Sequence, residues 1–442
     1  MFTPRLFRAR SCLFNIFEPG GNHMKHTSSF LLAVLLLTLA ELPSAGHQPA
    51  AAASRGTIAY IRGGAEIHLI EPDGSRDRRI WTHPRPDLAA TMGVNGLAWR
   101  PDGKEIAFSS EHEAAQSLYQ SDIYAIRPDG GGLRKITNPP DPGEYARFPK
   151  GSVSVTVRNG GTGPFAAPSS FFIVYVAGAA EPQSVALPPG SSRTLTFQDV
   201  ADFGAHPQPV VAMFGKSRWF IPGVDVQAGR TVQAGVLNIA GKGLENFGAF
   251  GVAWRSDGAQ LSYGMGNCAG LFAVPTDPLA GSHQDRPLLP GTSSGNVCTW
   301  DWGPTPDTAN KVLLGGGLLD PNIYLATEGG DTRGEKLVGA DPTDVLLEVE
   351  WLPDASGFLL SVSTGGAANL YEYSFNTRAT TQLTRFENEF VRSFSVSPDG
   401  RSVVFERAEQ FRGGNADLWV MQLDGRDMRL LVRNGSGPSW GR

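Results

Sequence analysis

A turn signature that recurs along the chain limits what it can fold into. Leu97-Ala98-Trp99-Arg100-Pro101-Asp102-Gly103 precedes the apolar run Glu105-Ile106-Ala107-Phe108. Val252-Ala253-Trp254-Arg255-Ser256-Asp257-Gly258 precedes Gln260-Leu261-Ser262-Tyr263, and Phe394-Ser395-Val396-Ser397-Pro398-Asp399-Gly400 precedes Ser402-Val403-Val404-Phe405. Looser copies start at Trp300-Asp301-Trp302-Gly303 and at Val349-Glu350-Trp351-Leu352-Pro353-Asp354. Proline presets φ at the first corner, aspartate bonds its own downstream backbone, and glycine accepts the left-handed conformation. Each copy therefore predicts a hairpin. A third strand follows in every copy (Asp122–Ile126, Gly270–Val274, Asn322–Leu325, Asn369–Tyr373, Asp417–Met421), then a shorter fourth.

Four antiparallel strands per repeat make the blade of a β-propeller. The spacing agrees: Trp254 to Trp302 is 48 residues, Trp302 to Trp351 is 49, and Trp351 to Val396 is 45. A further 44 residues reach Trp440, a first strand with nothing after it, while Thr57–Ile61 reads as a second strand with nothing before it. The expected fold is all-β: a six-bladed propeller whose C-terminal strand completes the N-terminal blade and removes the open edge. Trp99, Trp254, Trp302, Trp351 and Trp440 share one repeat position and are expected between blades.

The apolar-Trp-x-Pro-Asp-Gly motif resembles that of the TolB-type, WD40-like propeller repeats, over residues 55–140 and 245–442. The resemblance implies the fold and an envelope location. The family's namesake places an α/β domain before its propeller. Here the repeats begin directly after the leader, so the Tol-system role is not carried over.

Trp99 to Trp254 spans 155 residues, about three blade steps. The expected organisation is a leader at 1–53, blades one and two at 55–144, an insert at 145–243, and blades three to six with the closing strand at 244–442. Pro139–Gly143 and Gly241-Lys242-Gly243 mark the insert's ends. Seven short strand-like runs inside it predict an Ig-like β-sandwich. VTVRNGGTG and ALPPGSSRTLTF are similar to segments of adhesion-type sandwich domains of the bacterial surface. Trp219 and Phe220 are expected in its core, the alternative being an exposed edge.

Met24-Lys25-His26 followed by the apolar run Phe30–Ala40 reads as a signal peptide, too short to span a bilayer comfortably. Met24 is the expected start, and no stable membrane span is expected after cleavage. The 442 residues carry 38 basic and 43 acidic side chains. Removing 1–53 leaves 34 and 41, a formal charge of −7, and no basic run that would suit nucleic acid. A monomer is expected. Cys12 lies in the leader. Cys268 and Cys298 remain, either as one disulfide of an oxidising compartment or as two buried thiols.

Chemistry is sparse. Gly291-Thr292-Ser293-Ser294-Gly295 matches the nucleophile-elbow spacing, but no helical pattern follows it. Glu111-His112-Glu113 reads as a charged surface loop. Asp301, Glu348 and Glu350 stand on first strands where other blades carry Gly96, Ala98, Gly251 and Ala253. First strands line a propeller's channel, so these three carboxylates are the candidate binding residues, either for a divalent cation or paired with Arg392. No cofactor and no catalytic residue are expected otherwise. The expected function is a non-catalytic, periplasmic or secreted scaffold for an envelope or extracellular protein or a ligand. The alternative is a propeller hydrolase or lyase using an acidic channel mouth.

Overall fold

The computed structural model describes residues 56–86, 93–113, 121–137, 148–179, 181–204, 207–215, 217–243, 249–265, 268, 270–276, 286–289, 297–316, 320–330, 332–339, 341, 343–411 and 413–441. The leader with Met24 and Cys12, the Pro139–Gly143 boundary and the Gly291–Gly295 motif lie outside the described residues.

The described chain is all-β. In order, the strands are β1 (Ile58–Arg62), β2 (Glu66–Ile70), β3 (Arg78–Thr82), β4 (Val94–Trp99), β5 (Ile106–Ser110), β6 (Asp122–Ile126) and β7 (Arg134–Lys135). The inserted stretch holds β8 (Lys150–Asn159), β9 (Phe171–Val176), β10 (Gln183–Ala186), β11 (Ser192–Ala201), β12 (Gln208–Phe214), β13 (Ser217–Val224) and β14 (Thr231–Ile239). Then come β15 (Ala249–Trp254), β16 (Gln260–Met265), β17 (Gly270–Pro275), β18 (Arg286–Pro287), β19 (Thr299–Trp302), β20 (Lys311–Gly316), β21 (Asp320–Thr327) and β22 (Glu335–Val338). The last are β23 (Val345–Trp351), β24 (Gly357–Ser363), β25 (Ala368–Ser374), β26 (Ala379–Gln382), β27 (Phe390–Val396), β28 (Ser402–Ala408), β29 (Ala416–Gln422), β30 (Arg429–Val432) and β31 (Gly435–Trp440).

Four-stranded antiparallel sheets form from β4–β7, from β15–β18 and from β19–β22. Strands β23–β26 and β27–β30 form two more four-stranded runs, joined at the single parallel pair Ala368–Phe390. A further sheet has the order β3-β2-β1-β31, with Ile58 opposite Trp440 and Arg62 opposite Gly435. The two ends of the described chain therefore share one sheet.

The tight turns have the expected chemistry. Gly103 sits at φ 71° and its N–H donates to the Arg100 carbonyl at 2.8 Å, while Asp102 Oδ1 accepts the Lys104 N–H. The same bonds recur at Gly258 and Gly400. In the β23–β24 turn the left-handed position is filled by Ala355 at φ 58°, where a Cβ is strained.

Apolar clusters link successive sheets. Phe108 and Ile126 pack with Ile61 and Ile67, Trp254 with Ile123, Trp302 with Leu271, Trp351 with Leu313, and Phe394 with Leu359. A further cluster joins Val404 and Leu418 to Ile58 and Trp440. The first strands pack in the order β31, β4, β15, β19, β23, β27 and again β31.

In the inserted stretch, β10-β9-β12-β13 form one sheet and β11-β8-β14 another, with β8 and β14 parallel. Both contribute to one core, which includes Trp219. Among the described residues no helix is long and apolar enough to cross a membrane.

Candidate functional site

Apart from the single Ala368–Phe390 pair that joins β27 to β25, each first strand has one hydrogen-bonded neighbour in its own sheet, so half of its backbone groups face the adjoining first strands. Side chains from the preceding strand meet those N–H groups. Ser439 Oγ accepts the Trp99 N–H at 3.1 Å, Thr299 Oγ1 accepts that of Val349 at 3.1 Å, and Ser395 Oγ accepts that of Trp440 at 3.0 Å.

The three acidic residues do the same work. Asp301 Oδ2 accepts the Trp351 N–H at 2.8 Å and its Oδ1 accepts the Trp302 N–H at 2.9 Å. Glu348 Oε2 accepts the Phe394 N–H at 2.9 Å. Glu350 Oε1 accepts the Val396 N–H and the Ser395 hydroxyl, each at 3.1 Å. All three are half-buried and packed among protein atoms. Burial pushes the Asp301 carboxyl up to about 7, and backbone N–H groups oppose it. Burial likewise raises Glu348 to about 8. Glu350 is raised by burial and then by repulsion from Asp301.

Arg392 is not their partner. It pairs with Glu406 on β28 at 2.5 Å and donates to the carbonyl of Gly413, between β28 and β29, at 2.6 Å. Pairing with Arg392, one of the two alternatives, is not seen because the adjoining first strands, β27 for Glu348 and Glu350 and β23 for Asp301, offer backbone N–H groups. Among the described residues, no group of three or more His, Cys, Asp or Glu is arranged to hold a metal ion. No histidine lies on a first strand.

Cys268 and Cys298 are joined, with Cα atoms 4.8 Å apart, linking the end of the β16 hairpin to the start of β19.

Glu111-His112-Glu113 departs most from expectation. It is not a solvated charge cluster. Glu111 is 7% exposed and receives two hydrogen bonds, at 2.8 and 2.9 Å, from Arg218 Nη2 on β13 of the inserted stretch. Arg218 is itself 4% exposed, and its Nη1 donates to the Gly215 and Ser217 carbonyls. Burial raises the Glu111 carboxyl although Arg218 pulls it down. His112 is pushed down to about 3 by burial and by the nearby His83 and Lys135. Glu113 accepts the Tyr124 hydroxyl at 3.0 Å.

Strand register explains what Arg218 is doing there. Arg218 lies opposite Met213, Met213 opposite Ile173, and Val211 opposite both Tyr175 and Phe220. Paired residues point to the same side of a sheet. Ile173, Tyr175, Val211 and Met213 are all buried on that side, while Phe172, Val174 and Trp219 fill the core on the other. The sheet is thus covered on both faces. The signal was present in sequence: FFIVYV (171–176) and PVVAMF (209–214) are continuous apolar runs without alternation, as strands buried on both faces require.

Comparison with known proteins adds a partial relationship. The chain is 32% identical over 110 residues to the Tol-Pal system protein TolB of Anaeromyxobacter dehalogenans strain 2CP-1, a stretch equal to 24% of each chain. The TolB of Anaeromyxobacter sp. strain K matches to the same extent. The chain carries TolB-like sequence. That match spans about a quarter of the curated TolB proteins. No known family profile matches. Among solved structures, TolB from Acinetobacter baumannii covers 87% of this chain and 66% of its own, at 15% identity and a TM-score of 0.47. A manganese complex of oligogalacturonate lyase covers 86% of each chain at 12% identity and a TM-score of 0.37.

Proposed function

We propose that this chain is a six-bladed, TolB-like propeller of the bacterial envelope that binds protein partners as a non-catalytic scaffold. The observation that carries the reading is the TolB-like stretch, 32% identical over 110 residues. Residues 55–144 and 244–442 would form the ring, and the cyclic order of first-strand packing supports closure through β31. Residues 145–243 would form an Ig-like sandwich offering a second surface, for which the two sheets over one core speak. Export to the periplasm or outside the cell would allow Cys268 and Cys298 to remain oxidised.

The test is complex formation between the purified chain and Tol-Pal components from the same envelope, measured by co-purification and calorimetry. A stoichiometric complex is expected. Absence of any complex at micromolar concentrations, with the protein folded, would remove the reading.

One observation favours a second reading, a lyase or hydrolase using the acidic first strands. Carboxyls held near neutrality can act as general acids or bases, and a divalent cation could join them. Calcium titration of the parent and of Glu350→Ala separates the two readings. Saturable heat confined to the parent favours the second; equal heats leave these groups to their backbone contacts.

A further inference from the structure

A sheet edge carries unpaired N–H and carbonyl groups that will take up another strand unless something guards them. The two sheets of the inserted stretch end in four such edges, and three are guarded. Strand β10 is four residues long, β13 carries Pro222, and β14 breaks register at Ala234, with Gly235 at φ 87°. Strand β11 has none of these over Ser192–Phe197, which pairs with β8 without a break until the bulge before Val200. The Asn159 N–H donates to the Ser191 carbonyl. Alternation then turns the backbone groups of Arg193, Leu195 and Phe197 toward β8 and leaves those of Ser192, Thr194 and Thr196 on the free edge. Among the described residues, one of these edge groups has a partner: the Thr196 carbonyl accepts Gln183 Nε2 at 2.9 Å. Ser192, Arg193, Thr194 and Thr196 are all exposed.

We propose that β11 is the pairing edge for a second copy of this chain, joined antiparallel about a two-fold axis at Thr194. The edge is complementary to its own reverse. With Thr194 of one copy opposite Thr194 of the other, Ser192 faces Thr196, and each edge N–H meets an edge carbonyl. On the outer face, hydroxyl side chains stand opposite hydroxyl side chains and no charge opposes its like. On the other face, Arg193 lies opposite Leu195 and diagonal to Phe197 of the other copy, a separation that a long side chain spans. Beside Phe197 is a cavity of about 270 Å³ between β10 and β11, with Glu181 and Gln183 in its wall. Arg193 has no partner among the described residues, and the contact of Glu181 with Arg85, at 3.4 Å, is loose and exposed. Each copy therefore brings a free guanidinium toward a carboxylate of the other, and this charge complementarity favours a second copy over an arbitrary strand. So short a pairing buries little area, which sets the dissociation constant at roughly 10 μM. Self-pairing would replace the monomer expected from sequence, and it does not depend on what the propeller binds.

Analytical sedimentation of the purified chain between about 1 and 100 μM should show one copy passing to two. Thr194→Lys and Thr194→Glu each set like charges against one another at the axis, on a side chain that is exposed in the single copy. Each variant alone should raise the dissociation constant roughly tenfold or more, with Tm unchanged. Mixed in equal amounts, the two should associate at least roughly tenfold more tightly than either does alone, because opposite charges then meet. A parent that remains a single copy at about 100 μM overturns the proposal. A parent dimer that both variants leave intact overturns it too, because another surface would then hold the copies together. So does a mixture no tighter than the separate variants. If either variant does not fold, Thr194→Pro decides instead: it removes an edge N–H that β8 does not use, so a single copy is expected and an intact dimer overturns the proposal.

Discussion

Glu348 offers the sharpest test of how the first strands are held. Its carboxylate accepts the Phe394 N–H, and burial raises it to about 8 from an ordinary 4.5. A folded-state value above the unfolded one means that the folded protein binds the extra proton. The contribution to stability is therefore complete below about pH 4.5 and is lost as pH rises through 8. Between those limits the loss is about 1.4 kcal/mol per pH unit, about 5 kcal/mol when the group is fully ionised. Water reaching its partly open surface screens the charge, so ~2 kcal/mol is the safer expectation. Glu348→Gln keeps an oxygen for the Phe394 N–H and removes the charge. Urea unfolding of parent and variant at pH 5, 6, 7 and 8 should therefore give a stability difference that moves steadily in the variant's favour with pH. At pH 5 the two should be nearly equal; at pH 8 the variant should lead by about 2 kcal/mol. A difference independent of pH would refute the argument. A trend of opposite sign would mean that the ionised carboxylate anchors Phe394 and that its proton affinity is lowered by folding.

Three further predictions address the frame. Deleting 437–442 removes most of β31 and the buried Trp440, and should cost at least ~3 kcal/mol, read as a drop in Tm of several degrees or more; an unchanged Tm would reject the closing role of β31. Ala355→Gly relieves a left-handed alanine and should raise stability by about 1 kcal/mol in chemical denaturation, whereas the same change at an ordinary turn alanine would lower it. Reducing the Cys268–Cys298 bond, which closes a loop of 30 residues, should cost about 3 kcal/mol, and Cys298→Ser should melt at the temperature of the reduced parent.

Much of the frame is legible because its determinants are local. Pro-Asp-Gly turns carry their own hydrogen bonds, and a tryptophan recurring at blade spacing needs only a neighbouring sheet to pack against. The four-stranded sheets and the pairing of β31 with β1 follow from such features. The link between Glu111 and Arg218 was hidden for the opposite reason. Glu111 and Arg218 are 107 residues apart, and neither carries a mark of its partner. Three polar letters in a row look solvated until something covers them. The unbroken apolar runs at 171–176 and 209–214 held the clue, since one covered face leaves alternation and two covered faces erase it. Asp301, Glu348 and Glu350 stand out in the sequence as acidic where other first strands carry glycine or alanine. The backbone groups they meet belong to the next sheet, and no residue type encodes a backbone N–H, so Arg392 drew attention that it did not merit.

The acidic residues also show why a perturbed carboxyl is a poor guide to activity on its own. Serines 395 and 439 and Thr299 satisfy equivalent N–H groups without any charge. Acceptance is thus the shared requirement, and the charge is an addition on β19 and β23 and at Glu406 of β28, whose Oε2 accepts the Gly437 N–H of β31. Their raised proton affinities follow from enclosure and, for Glu350, from crowding with Asp301. Both causes would operate in a purely structural contact. Alanine and amide substitutions separate the two properties. Alanine orphans the backbone N–H and should destabilise at every pH, while the amide at Glu348 or Glu350, where one oxygen accepts the backbone N–H, keeps that acceptor and should destabilise at none above pH 6. A functional charge would show itself by breaking that pattern: the amide at Glu350 or Glu348 would then abolish binding or turnover while leaving the fold as stable as the parent or more so. Stability measured beside activity therefore distinguishes a carboxylate retained for its charge from one retained for its oxygen.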